Sequence, residues 1–250
     1  MRAFSGFALR ACHESMQDWP HTLFRMVFQP LVYLLVFGKV LSPVFPGGGY
    51  AAVVAPGILS ILVMNAALGS VGSVLSRGYY FRSMEGWLLA PLSLTWLMLS
   101  WVTGTILAAA IAGLSGALLV YLMLGLVPPS PGLALLCTIY GAAAFALLGV
   151  IGYTLPQTPA KAQDALSFLL LPMMYLGCTF FSYAMLPQPW NVVALLLPTT
   201  YLSEALRMAY GSTPSSLDVP ILMSGGLCAL LLLFAIADWS FKRRFRDFLW

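Results

Sequence analysis

The chain has 250 residues, 60% of them hydrophobic and only 8% charged, with a formal net charge of +4. Soluble domains carry about 25% charged residues, so a chain this apolar cannot cover a globule in water. The balance indicates a polytopic membrane protein, and the small positive excess gives no basis for nucleic-acid binding.

Residues 2–19 are amphipathic at helical spacing. Phe4, Phe7, Ala8 and Ala11 share one face, with Arg2, Arg10, Glu14 and Asp18 among the rest. The segment is too polar to span a bilayer, and its polar residues exclude a cleavable signal peptide. Residues 1–22 therefore read as an interfacial helix ended by Trp19-Pro20, with a frayed tail as the plainer alternative. Span one is expected over 26–45, with Pro30 near its start and Lys39 near its far end. A turn-rich connection at 42–50 leads to span two at 52–75. There Ala66, Ser70 and Ser73, and also Gly69, Gly72 and Ser76, recur at spacings that permit close helix approach. Asn65 is the one strongly polar side chain of this span, and serves either as an interhelical hydrogen bonder or as a substrate ligand.

A charged, aromatic island follows at 76–92, carrying Arg77, Arg82 and Glu85. No other acidic residue lies between Asp18 and Asp164, and no Asp, Glu, Lys or Arg occurs from Gly86 to Ala160. An island of this kind between membrane-length apolar runs is a loop open to a partner outside the bilayer. Its sequence places Glu85 on a short helix ended by Pro91, with Met84 and Trp87 to Leu89 supplying apolar contact. The plainer readings are that Arg82 snorkels at the membrane edge and that Glu85 caps the loop.

Residues 94–127 would extend about 50 Å as a helix, against a bilayer core of about 30 Å. Span three is thus tilted or extended beyond the bilayer. The proline-rich stretch 128–132 turns the chain into span four at 133–155, and a polar loop at 156–164 carries Lys161. Span five is expected at 165–181 around Pro172. Residues 182–218 differ, because their apolar part is too short to cross and return. Two half-helices dipping into the membrane fit better, marked by Pro187, Trp190 and Pro198. In the second, Glu204 and Arg207 stand three residues apart, as a surface pair worth under about 1 kcal/mol or as a tie holding the half-helices together. Span six, at 219–237, precedes the basic tail of Lys242, Arg243, Arg244 and Arg246.

The reading is therefore all-α, with six transmembrane helices in a single domain over 1–250. Placing both termini inside puts Arg2, Arg10, Arg25, Arg77, Arg82, Lys161 and the four tail bases inside, with only Lys39 and Arg207 outside. The island is then cytoplasmic and the half-helix hairpin lies opposite. The cysteines Cys12, Cys137, Cys178 and Cys228 are scattered singly and form neither a CxxC metal site nor an obvious disulfide. Gly38-Lys39 lacks the rest of a P-loop, and His13-Glu14 lacks the second histidine of a zinc helix, Gln17 standing in its place. No GxSxG elbow is present. No Asp or Glu sits deep in a span, where a proton- or sodium-driven carrier needs one. Transport, if performed, draws its energy from elsewhere.

The segment RSMEGWLLAPL, Arg82 to Leu92, resembles the loop between spans two and three of ABC type-2 exporter permeases. Residues 171–190 and 197–211 are similar to that family's fifth-span and outer-hairpin signature, and the likeness is nearest to the short YadH-type and nodulation-type permeases. Gly86-Trp87 departs from the more usual residues after the glutamate. The resemblance implies the transmembrane subunit of an exporter in a bacterial inner membrane, acting as a homodimer on two copies of a separate ABC ATPase. ATP and Mg would sit on that partner, leaving this chain without cofactor, metal or catalytic residue. The implied coupling residues are Arg82, Glu85, Trp87 and Pro91. The outer gate would comprise Pro187, Trp190, Pro198, Glu204 and Arg207, and span two would contribute Asn65, Gly69 and Ser73 to packing or pathway. Implied cargoes are large or amphipathic: lipid-linked saccharides, polysaccharides, lipids or hydrophobic drugs. An ion-coupled secondary transporter and a non-transport membrane scaffold or enzyme are the alternatives.

Overall fold

The computed structural model describes residues 2–16, 24, 28–41, 50–80, 93–156, 158–211 and 219–246. The described residues contain helices and no strand. We label the helices α1 (Arg2–Met16), α2 (Phe28–Val40), α3 (Tyr50–Tyr80), α4 (Leu94–Leu124), α5 (Pro131–Thr154), α6 (Pro159–Leu176), α7 (Trp190–Leu195), α8 (Pro198–Tyr210) and α9 (Val219–Arg246). Within the described residues, α3, α4, α5 and the Gly225–Phe245 stretch of α9 are long and apolar enough to cross a membrane. Helix α2 is shorter, and its second half, Leu34–Val40, is wound as a π-helix.

Helix α3 is the axis of the bundle. It packs against α1, α2, α4, α5, α6 and α8. Every residue from Val54 to Met64 is buried, and this half of α3 is apolar all round except for Ser60, whose hydroxyl donates to the Pro56 carbonyl of its own helix at 3.0 Å. Small residues set the approach distances. A Cβ on Gly113 would reach the Thr138 methyl at 2.6 Å, fixing α4 against α5. One on Gly116 would reach Leu62 at 2.5 Å, fixing α4 against α3.

The observed helices differ from the expected spans, and α3 itself runs to Tyr80, five residues beyond Leu75 and into the charged island. Helix α6 stops at Leu176 rather than continuing to Phe181. Gly177 is wedged there against Thr199 and the Met173 carbonyl, and Cys178 takes a left-handed φ of 54°, which ends the helix. Helix α9 runs on to Arg246, nine residues beyond Ala237. Lys242 pairs with Asp238 at 2.6 Å, Asp238 accepts a hydrogen bond from Thr95 at 2.9 Å, and Phe241 and Phe245 pack edge-on against Trp101. These contacts carry the helix past the apolar run. The N-terminal helix α1 lies against α4 and α3, with Ala8 and Ala11 buried and Gly104 of α4 giving room for them.

The connection 42–49, most of the charged island and the tail residues 247–250 lie outside the described residues.

Candidate functional site: a clamp and a cleft on one helix

Two polar features sit on α3, one towards each end. The first is built around Arg207 of α8. Its side chain and that of Glu204 are both fully buried and pair at 2.7 Å, which removes the surface-pair alternative. The guanidinium fork reaches well beyond Glu204. Its Nε donates to the Val53 carbonyl of α3 at 3.0 Å, and one terminal nitrogen donates to the carbonyls of Cys178 and Thr179 at 2.5 and 3.2 Å. Glu204 Oε1 also accepts the Tyr183 amide hydrogen at 2.9 Å, whereas Oε2 is buried with no hydrogen-bond partner among the described residues. One arginine thus joins α3, the 177–182 loop and α8. Arginine suits this task, because only its planar fork offers five donors with fixed geometry.

Contacts around the clamp are equally close. Gly57 abuts the Thr179 carbonyl so tightly that any Cβ would collide with it. Thr199 donates to the Met173 carbonyl at 3.0 Å and Ser203 to the Gly177 carbonyl at 3.0 Å. Phe180 packs tilted against Phe37 of α2 with ring centroids 4.7 Å apart, and Tyr33 and Tyr175 lie beside it. Of the remaining hairpin residues, Trp190 opens α7 and is half exposed, Pro187 is exposed, and Pro198 occupies the first turn of α8, where its missing N–H costs nothing.

The second feature is a cleft of about 480 Å³ between α3 and α6, with Tyr153 of α5 at its back. Asn65, Gly69 and Ser73 line it, so the structure brings together the three residues singled out on span two. Their small-residue spacing has two outcomes. Gly72 meets the Tyr153 ring in tight contact, whereas the space in front of Gly69 is open. Ser76 and Arg77, which the sequence singled out for helix packing and for the charged island, also line it, and sequence reasoning missed Tyr80 of α3 and Gln163 and Ser167 of α6. The i,i+4 spacing of Gly69, Ser73 and Arg77, repeated by Gln163 and Ser167, was the available signal. Leu68, Leu166 and Leu170 supply an apolar wall. Arg77 is the single charged residue lining the cleft among the described residues.

The Tyr80 end of α3 is also the basic end of the bundle. Tyr79, Thr158 and Arg244 line one small recess there, which places the start of α6 and the tail bases beside it. The coupling residues Arg82, Glu85, Trp87 and Pro91 lie outside the described residues, in the segment that directly follows α3. Among the described residues no cluster of His, Cys, Asp or Glu could hold a metal ion.

Comparison with known proteins agrees with this architecture. The profile of the ABC-2 type transporter family matches residues 4–210. The inner membrane transport permease YadH of Escherichia coli strain K12 is 26% identical over 241 residues, covering 94% of this chain and 92% of the relative. The YadH permease of Shigella flexneri matches to the same extent. With the family profile spanning most of its length, from the N-terminal helix to the end of the hairpin, this chain belongs to the ABC-2 type transporter family.

Proposed function

We propose that this chain is the membrane-spanning subunit of an ATP-driven exporter. It acts as a homodimer above two separate ABC ATPase subunits, and moves a large or amphipathic cargo out of the cytoplasm across a bacterial inner membrane. The observation that carries this reading is the cleft: a polar recess of about 480 Å³ lying on the helix that leads into the charged island. Polar side chains at membrane depth are costly against lipid and belong beside a pathway or a partner. A second copy of the chain, facing the cleft, would complete its wall.

The lining of the cleft supports an energy source outside this chain. Among the described residues no carboxylate lines it, so a proton or sodium ion finds no group to act upon. The work then falls to a partner that binds ATP and Mg, docked on the 76–92 loop through Arg82, Glu85, Trp87 and Pro91. The relatives' name, inner membrane transport permease, supports the location and the transport role. In this reading the topology has six spans, counting α2 and α6 as spans one and five, with both termini cytoplasmic and the clamped hairpin as the outer gate.

The test is purification of the tagged chain from its native membrane. A P-loop ATPase should be retained, and Glu85→Ala should lower the retained hydrolysis at least about tenfold while membrane insertion is unchanged. Loss of one side of a desolvated contact costs about 2–5 kcal/mol. A chain that carries no ATPase and transports on an ion gradient, or that transports nothing, would overturn the reading.

A further inference from the structure

Helix α9 leaves its apolar run at Ala237 and continues to Arg246, beyond the stretch that the family profile matches. In these turns Asp238, Phe241, Lys242 and Phe245 stand at i, i+3, i+4 and i+7, so they share one face. That face meets the start of α4, the helix that opens where the charged island ends. Thr95, in the first turn of α4, is half-buried and donates its hydroxyl hydrogen to Asp238 Oδ1 at 2.9 Å. Lys242 Nζ donates to the other carboxylate oxygen at 2.6 Å. Phe241 is fully buried and meets Trp101 edge-on at 5.5 Å, with Phe245 beside it at 4.4 Å. Phe241 and Phe245 share one apolar cluster with Leu97 and Met98 of α4 and with Val74 and Leu75 of α3. The hydroxyls of Ser240 and Thr154 meet at 3.0 Å and tie the same stretch to the end of α5. The Lys242 pair needs only α9 to form, being i,i+4 with the acid first. The Thr95 bond is different, because it reaches between helices close behind the island. A helix start needs such a tie: its first four N–H groups have no intrahelical partner, and the Ser93 side chain accepts from one of them, that of Trp96, at 3.5 Å.

We propose that Asp238 is a positioning residue for coupling: through Thr95 it holds the first turn of α4, so that motion of the 76–92 loop passes into α4 instead of being absorbed by fraying at its start. The inference rests on the proposed docking of an ATPase on that loop. A carboxylate suits the task, because a hydrogen bond to a charged acceptor is about twice as strong as a neutral one. The aromatic contacts at Trp101 hold α4 further along, and leave its first turn to the polar bond.

The permease–ATPase complex, reconstituted in lipid nanodiscs, is followed by hydrogen exchange without nucleotide and with ATP plus vanadate. In the wild type the nucleotide should change exchange both in the loop and at the amides of Leu97 to Trp101. Asp238→Ala and Thr95→Val should each speed exchange of those amides at least about tenfold without nucleotide, the size of one hydrogen bond to a charged group. Both should confine the nucleotide effect to the loop while the ATPase stays bound. Thr95→Val keeps the shape of the side chain and carries the test if Asp238→Ala does not assemble. Asp238→Asn, whose side-chain oxygen still accepts from Thr95, and Lys242→Gln, which removes the ion pair alone, should keep transmission into α4. A nucleotide effect that reaches Leu97 to Trp101 undiminished in Thr95→Val overturns the inference. Its loss in Lys242→Gln but not in Thr95→Val overturns it in favour of the ion pair. An equal loss in Gly57→Ala, which loosens the hairpin at the other end of α3, would make the effect one of stability and overturns it too. A wild-type chain that retains no ATPase is a separate outcome, and removes the docking reading together with the role built on it.

Discussion

Between Val54 and Met64, α3 has no exposed residue, and its Val53 carbonyl is held by Arg207 of a helix more than 150 positions away. From Asn65 to Tyr80 the same helix borders a recess of about 480 Å³. The sealed half uses polarity inwardly: the Arg207 donors described above end on protein carbonyls or on Glu204. The open half leaves polar groups facing space. A single continuous helix thus couples a region built to stay together with one built to admit something else. In the proposed transporter, a push delivered at the Tyr80 end would move the clamped hairpin and α3 as one piece, because the clamp leaves them few independent freedoms.

The comparison breaks first at the clamp. Arg207→Leu strands the Glu204 carboxylate in a dry site. Removing one partner of a buried pair costs about 3–5 kcal/mol, so the purified variant should unfold at markedly lower temperature and in lower yield. Arg207→Lys should recover part of that loss, since an ammonium keeps the charge but not the fork. The double exchange Glu204→Arg with Arg207→Glu should remain as unstable as either single change. A carboxylate at 207 would face the Val53, Cys178 and Thr179 carbonyls, and the Tyr183 amide would lose its acceptor. Restoration of wild-type unfolding by the exchange would mean that charge pairing alone holds the hairpin.

A smaller effect is expected at Gly57. Adding one methyl there drives it into the Thr179 carbonyl, and overpacking of this kind costs about 1–3 kcal/mol. Because the neighbour is backbone, relief requires the 177–182 loop to withdraw from α3. Gly57→Ala should therefore raise hydrogen exchange in that loop while the α4–α5 contact keeps its protection. Unchanged exchange at Cys178 and Thr179 would show that loop and helix are not tightly joined.

Much of the open half could be read in the sequence, and little of the sealed half. Asn65, Gly69 and Ser73 announced themselves as polar or small residues at helical spacing in an apolar span. Their partners Gln163, Ser167 and Tyr153 did not, because nothing local in α5 or α6 reports which helix they will face. The spacing of Glu204 and Arg207 was legible, but their burial was not. A charged pair on a short amphipathic helix ordinarily faces water, and what reverses that here is a set of backbone carbonyls, which carry no sequence signal. The early end of α6 has the same cause: the tight seat of Gly177 beneath Thr199 is tertiary, not local.

The finest distinction lies between two glycines one turn apart in the open half. Gly72 packs on Tyr153, and a Cβ there would approach the ring carbon Cζ at 2.6 Å, whereas at Gly69 nothing stands within 4 Å. Both lie inside a helix, where alanine is intrinsically better than glycine by about 0.5–1 kcal/mol. Gly69→Ala should therefore be neutral to slightly stabilising, with the methyl occupying only a small corner of the cleft. At Gly72 the same gain is opposed by displacement of the Tyr153 ring. The ring can swing into the cleft, so the net loss should stay near about 1 kcal/mol, while the recess narrows from the back. Measured side by side in detergent, Gly69→Ala should unfold at or just above the wild-type temperature and Gly72→Ala below it. The opposite order would place Gly69, not Gly72, at the packed side of α3, and would close the cleft where it is described as open.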